Sequence, residues 1–354
     1  IKYVRLNGKS HKPLQRYRFF LRKREFVKNS YVDYSLPYGK INYFCECLTK
    51  FTRMNNLYWN VYKSLERELL SLAEVIHIDD TQLGVYSMKI ADLLIRTSVE
   101  IESISKELYF REGGTKPNDN ELYFDTDCLD LLESKWSLSK KVIMVSSPEF
   151  YFKDSGNIYL KPLHKAHKRG SSSSDWKKAY QAVKHNRAAS FDKGNIKHFI
   201  RSLAALYLLN LYYKDQCYPL GRDQKGDTFD AHIGSMIFSV MVHPFPGVNV
   251  DGKYNRNIDF DSCVYLLNAT KETYAPAQKA IADINAIVIE NALKIIETEV
   301  ATIEPQETIV YVQERLKALT TGDAVAEIIK NNRHILSKPM LRLEMEAVLN
   351  KNQL

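Results

Sequence analysis

Residues 195–214 read NIKHFIRSLAALYLLNLYYK, and from Phe199 onward the stretch is apolar on nearly every side. A helix without a polar face has to be covered all round, so this one is expected at the centre of a helical bundle. Its most apolar part, LAALYLLNLYY, is too short to cross a bilayer and follows Lys197, His198 and Arg201. It reads as a buried helix. Gly194 marks the turn into it.

Just upstream, residues 175–187 read DWKKAYQAVKHNR and follow a run of four serines. Asp175 is expected as the helix N-cap, with the serines as a flexible lead-in. At helical spacing Trp176, Tyr180, Lys184 and Arg187 share one stripe, and His185 lies about 100° away beside Gln181. Two rings would anchor this helix while cations extend from its last turns, where the macrodipole favours them. The cluster fits a phosphate-binding patch with His185 able to move a proton near neutral pH. A solvated helix end is the plainer reading.

Working outward, helices are expected over 41–52, 57–76 and 83–110, with Asp79, Asp80 and Thr81 capping the last and Gly113-Gly114 ending it. On it Arg96 and Glu100 lie four apart, as do Glu102 and Lys106, and both pairs can meet along the helix. A short helix over 128–136 follows, then a short strand or buried piece over 141–146 and an irregular stretch over 147–174. His164-x-x-His167 within it is half of a metal site with no acidic or cysteine partner nearby, so it reads as part of a basic loop. Beyond the central helix, residues 234–243 and 263–267 are expected as short strands, with Asp251-Gly252 as a turn. Asp223, Asp227, Asp230, Asp259 and Asp261 lack the ligand order of an EF-hand. Helices are then expected from Pro276 to about residue 301, and over 305–319, 323–336 and 339–350.

The chain has 354 residues and a net charge of +8, which favours an acidic partner. The charge is uneven: residues 1–40 hold eleven Lys and Arg against two acids, with aromatics interleaved in RYRFFLRKREFVKNSYVDY. Cations for phosphate and rings for bases are what a groove for RNA or single-stranded DNA uses. Arg16, Arg18, Arg22, Lys23 and Arg24 are the candidate contacts there, with Trp176 and Tyr180 in the middle of the chain; the alternative is that Phe19, Phe20 and Phe26 dock the segment on a core while those cations face water. Five cysteines without a CxxC pair support neither a disulfide framework nor a thiolate zinc site, and fit a reducing cytoplasm. No run of eighteen apolar residues points to a membrane. P-loop, dinucleotide-binding, GxSxG and HExxH patterns are absent, so those chemistries are not expected, and no metal or cofactor is implied.

The expected fold is mainly α: a basic aromatic N-terminal segment (1–40), a helical bundle (41–215), a small β insertion (216–270) and a helical C-terminal region (271–354). IRTSVEIESISKELY at 95–109, DWKKAYQAVKHNR and SLAALYLLNLYY together resemble a pattern in divergent HEPN-like helical proteins of prokaryotes. There, a W-x3-Y-x3-KH-x-R segment precedes an Ala/Leu-rich helix, and the resemblance covers roughly residues 85–215. It implies a helical bundle, commonly dimeric, in a family where many members are metal-independent ribonucleases of toxin or antiviral systems and others are non-catalytic. Active members carry an Arg followed four to six residues later by a His, and residues 85–215 hold no such pair. If RNA is cut, the resemblance makes His185 the general acid or base, Arg187 and Lys184 the stabilisers of phosphorane-like charge, and Arg96 and Glu100 orienting groups. The alternative is a nucleic-acid-binding or assembly subunit of a defence complex, acting as a homodimer or with a protein partner.

Overall fold

Asn56 opens the helix over Leu57–Ala73 by accepting the Trp59 N–H on its side-chain oxygen at 3.1 Å. The computed structural model describes residues 56–117, 121–246, 254, 256–300 and 308–353. The expected helix over 41–52, the basic segment with Arg16, Arg18, Arg22, Lys23 and Arg24, and the Asp251-Gly252 turn lie outside the described residues. In chain order the elements begin with α1 (Leu57–Ala73), α2 (Met88–Arg111) and α3 (Asp130–Trp136). Next come β1 (Ile143–Val145), the single turn α4 (Ser155–Ile158), β2 (Tyr159–Leu160), α5 (Asp175–His185) and α6 (Ile196–Lys214). Then follow β3 (Tyr218–Gly221), β4 (Phe238–Val240), β5 (Val242–His243), β6 (Tyr265–Ala269) and α7 (Lys271–Val300). The last are α8 (Thr308–Leu319), α9 (Asp323–Asn331), α10 (Arg333–Leu341) and β7 (Met345–Leu349). The protein is mainly helical, with two small sheets among the described residues.

Every residue of α6 from Ser202 to Tyr212 is buried, as its apolar circumference requires. Each leucine there contributes about 1.5–3 kcal/mol by leaving water. Tyr207 donates to the His232 carbonyl at 2.8 Å, Tyr212 to the Asn350 carbonyl at 2.7 Å, and the Asn210 amide nitrogen to the Leu206 carbonyl at 2.9 Å. α2 lies along α6 in the same direction. At their starts the Ile196 N–H donates to the Val85 carbonyl at 3.0 Å. At their ends the Arg111 guanidinium reaches the Tyr212 and Tyr213 carbonyls at 2.6 and 2.7 Å, closing α6 with a cation where the macrodipole favours one. Where the two helices begin, a Cβ on Gly194 would sit 2.6 Å from the Ala91 Cβ, so the close approach requires glycine.

α1 runs the other way along both. Tyr58 donates to Glu107 at 2.7 Å and lies 2.8 Å from the Ser103 hydroxyl, while Glu68 pairs with Lys89 at 2.8 Å. The rings of Tyr58 and Tyr213 meet edge to face, and Tyr62 packs on Tyr207. Buried Glu66 of α1 accepts from Tyr62 at 2.8 Å, from Ser235 at 2.6 Å and from the Met236 N–H at 2.8 Å, and Lys63 pairs with it. Burial works against its charge, but these donors outweigh it and hold the carboxyl below its usual range. α2 starts at Met88 rather than 83. Asp79 takes the Thr81 and Gln82 N–H groups at 2.8 and 3.1 Å to close a separate turn, and Ser87 caps α2 by accepting the Ile90 N–H at 3.2 Å.

The first sheet has the order β2-β1-β4, all antiparallel, with Ile143 opposite both Leu160 and Val240. The second has the order β3-β7-β6-β5, with β7 antiparallel to both neighbours and β5 parallel to β6. The expected helix over 339–350 is therefore corrected. Met345, Ala347 and Leu349 are buried in alternation, the period of a strand, and the ladders to β3 and β6 fix it there. α7 begins at Lys271, ahead of Pro276, because the Thr270 carbonyl already accepts the Thr273 and Tyr274 N–H groups at 3.1 and 2.9 Å. Its buried stripe is Ala277, Ala280, Ile284, Val288, Ala292 and Ile296, and α8, α9 and α10 pack on it. The expected helix over 323–336 is two helices, separated at Asn332. Among the described residues no helix is long and apolar enough to cross a membrane.

Candidate functional site

α5 is the DWKKAYQAVKHNR helix, and its two ends differ. At the N-terminus Ser174, not Asp175, occupies the cap position. Asp175 is the first helical residue; it takes the Trp176 N–H at 2.7 Å and pairs with Arg201 of α6. Trp176 and Tyr180 are each 1% exposed. The Trp176 indole donates to the Pro162 carbonyl at 2.8 Å, and Tyr180 packs with Ala179, Leu94 and Ile95. Both rings therefore hold α5 against α2 and the preceding loop, and their faces belong to the core.

At the C-terminus the helix stops at His185, and the Asn186 N–H closes it on the Ala182 carbonyl at 2.9 Å. Arg187 thus lies just past the helix rather than on its stripe. It pairs with Asp92 of α2 at 3.0 Å, both side chains partly exposed. Lys184 is exposed and places its ammonium 5.3 Å from the centre of the Tyr180 ring. His185 is exposed, and its Nε2 donates to Gln181 at 3.1 Å. Arg96 is exposed beside Ile95, which packs on Tyr180. Glu100 is half-buried; burial pushes its carboxyl up and Arg96 pulls it partly back. Among the described residues no hydrogen bond or ion pair joins His185 to Lys184, Arg187, Arg96 or Glu100. The arrangement presents separate cations on one surface, with no carboxylate orienting the imidazole.

Sequence reasoning missed the buried charges beneath α5. Lys177 is 3% exposed and its Nζ donates to Asp125 at 2.8 Å and to the Ala166 and Lys168 carbonyls at 3.0 and 2.6 Å. Asp125 also accepts from Arg169 at 3.0 Å, and that guanidinium lies 3.7 Å from the centre of the Tyr123 ring. Burial works against charge on both members of the pair. Donors outweigh it at Asp125, whose carboxyl is held low, while at Lys177 burial prevails and pulls the amine down. Nothing in the spacing separates Lys177 from exposed Lys178; only the partners brought in by the fold do.

The basic loop before α5 keeps His164 below the usual imidazole range, through burial first and then Lys165 and Lys161. Among the described residues no three His, Cys, Asp or Glu side chains stand together to hold a metal, and the His164–His167 pair is no exception. A further cluster joins His243, whose Nδ1 lies 2.9 Å from the Tyr254 hydroxyl, with Asp259 and Cys263. Burial pushes the Cys263 thiol up to about 12, so it stays protonated and is a poor nucleophile. Compared with protein-family models, curated proteins and solved structures, the chain matches none.

Proposed function

We propose that this chain is a HEPN-like, RNA-directed protein that binds RNA rather than cutting it, with the C-terminal end of α5 as its contact surface. What carries the reading is that Lys184, His185 and Arg187 are presented together at the end of one helix while, among the described residues, His185 has only Gln181 as a partner. Solvent-facing Lys184 and partly exposed Arg187, which would exchange Asp92 for phosphate, suit contact with successive phosphates. Acid–base chemistry calls for an imidazole held by a second group against the reacting proton. The HEPN-like part of the reading rests on the sequence resemblance over residues 85–215, and the eleven Lys and Arg of residues 1–40 add charge suited to the same class of ligand. The role that fits is that of a binding or assembly subunit of a cytoplasmic defence system, working as a homodimer or with a protein partner.

The test is binding of a single-stranded RNA to the whole protein over a range of salt concentrations. Lys184→Ala/Arg187→Ala should weaken binding of all sequences alike and reduce the salt slope by about 1.4, the loss of two phosphate contacts. An unchanged affinity and slope would refute the assignment of this surface. RNA cleavage by the same preparation, lost in His185→Ala at unchanged thermal stability, would replace the binding reading with the ribonuclease one.

A further inference from the structure

The opposite end of α5 carries a second feature, independent of the RNA surface. A cavity of about 640 Å³ opens at the helix N-terminus, within the size range of small-molecule sites. Leu160, Pro162 and the Trp176 ring supply apolar wall, while Lys140, Lys161, Lys165 and Arg201 face one carboxylate, Asp175. Two of these cations are engaged: Lys140 by Asp261 at 2.7 Å and Arg201 by Asp175. Lys161 and Lys165 are exposed and have no ion-pair partner among the described residues. His164 lines the same space.

Two hydroxyls single this cavity out. Ser173 and Ser174 line it, are 5% and 8% exposed, and have side-chain oxygens with no hydrogen-bond partner among the described residues. Buried hydroxyls are nearly always bonded. Ser174 stands at the cap position of an eleven-residue helix and still makes no capping bond. The Trp176 N–H is taken by Asp175, but the other first-turn N–H groups of such a helix have no partner within it, and with the two hydroxyls they are donors beside Lys161 and Lys165. A planar carboxylate has too few lone pairs for all of them. A tetrahedral phosphate, with three terminal oxygens and up to two negative charges, matches both the number of donors and the excess of cations.

We propose that this cavity binds a small phosphomonoester. Its phosphate would be held by Ser173, Ser174 and the α5 N-terminus between Lys161 and Lys165, and its body would lie against Leu160, Pro162 and Trp176. Asp175 does not oppose the anion, because Arg201 neutralises it.

Calorimetric titration of the full chain with phenyl phosphate and with inorganic phosphate tests this, with phenol as the uncharged control. The wild type should bind phenyl phosphate saturably and more tightly than inorganic phosphate, and should not bind phenol. Lys161→Ala/Lys165→Ala changes only exposed side chains and should lower the affinity by about tenfold or more, the loss of charge-assisted contacts. Ser173→Ala should weaken it several-fold, while Lys184→Ala/Arg187→Ala should leave it unchanged, which separates this site from the RNA surface. Absence of binding by the wild type would overturn the proposal, as would equal binding by the double lysine variant. A 5′-phosphorylated RNA oligomer that outcompetes phenyl phosphate at this site would overturn the small-molecule assignment.

Discussion

Replacing Lys177 by methionine keeps most of the stem and removes the ammonium. Three hydrogen bonds go with it: one to Asp125, one to the Ala166 carbonyl and one to the Lys168 carbonyl. Asp125 is 5% exposed and would keep Arg169 and the Thr126 N–H, at 2.8 Å, as donors. Removing one partner of a buried ion pair costs about 3–5 kcal/mol. At roughly 2 °C per kcal/mol for a protein of this size, Lys177→Met should melt about 6–10 °C below the wild type. Differential scanning fluorimetry on wild type, Lys177→Met, Asp125→Asn and the double variant completes the cycle. The double variant should be destabilised less than the sum of the two singles by about 0.5–3 kcal/mol, because Asn no longer leaves a charge behind. The sign with pH follows from the low carboxyl of Asp125. In the wild type its contribution is present above its unfolded value and is lost as pH falls through the folded one. In Lys177→Met that advantage shrinks, so the gap between variant and wild type should narrow on acidification. A Lys177→Met protein that melts with the wild type at neutral pH, or a strictly additive cycle, would refute the reasoning. The loop over 161–169 is tied down through the same ammonium, so phenyl phosphate binding should weaken in parallel.

Glu66→Gln should cost about 2–3 kcal/mol, because a buried acceptor of several hydrogen bonds loses its charge. Glu66 stabilises above its unfolded value and loses that as pH falls through its lowered folded one, so the variant's urea midpoint should vary less than the wild type's across the acid range. Gly194→Ala should cost about 1–3 kcal/mol by forcing α2 and α6 apart, and Ala91→Gly in the same chain should recover part of it. Equal midpoints for Gly194→Ala and the wild type would show that the two helix starts can separate freely.

The central helix was legible because its apolar circumference leaves no alternative to burial, and Asn195 caps it where Gly194 implied. The start of α2 was not: Asp79, Asp80 and Thr81 look like a cap in sequence, yet Asp79 spends its carboxylate on a local turn and Ser87 does the capping. In MEAVL, Met, Glu and Ala are helix formers, and Pro339 upstream looks like a first helical residue. The alternating burial that makes the stretch a strand exists only once β3 and β6 lie on either side. At the site, His185 and Lys184 are on the surface, as their position in the last helical turn implies. Trp176 and Tyr180 are buried as the anchoring rings of the stripe, which leaves neither face for a base. Ser173 and Ser174 read as linker, since only the folded cavity reveals that their hydroxyls lack partners.

The strand β7 has a consequence for synthesis. It lies between β3 and β6, yet it emerges from the ribosome after both of them and after the whole of α7 to α10. Until residues 345–349 arrive, β3 and β6 each expose an edge of unpaired backbone, the kind of surface on which chains join one another wrongly. The Tyr212 hydroxyl of the central helix likewise waits for the Asn350 carbonyl, which follows the same strand. Nascent chains stalled before residue 345 should therefore recruit holding chaperones and resist native-like compaction, while chains released beyond residue 350 close sheet and helical core together.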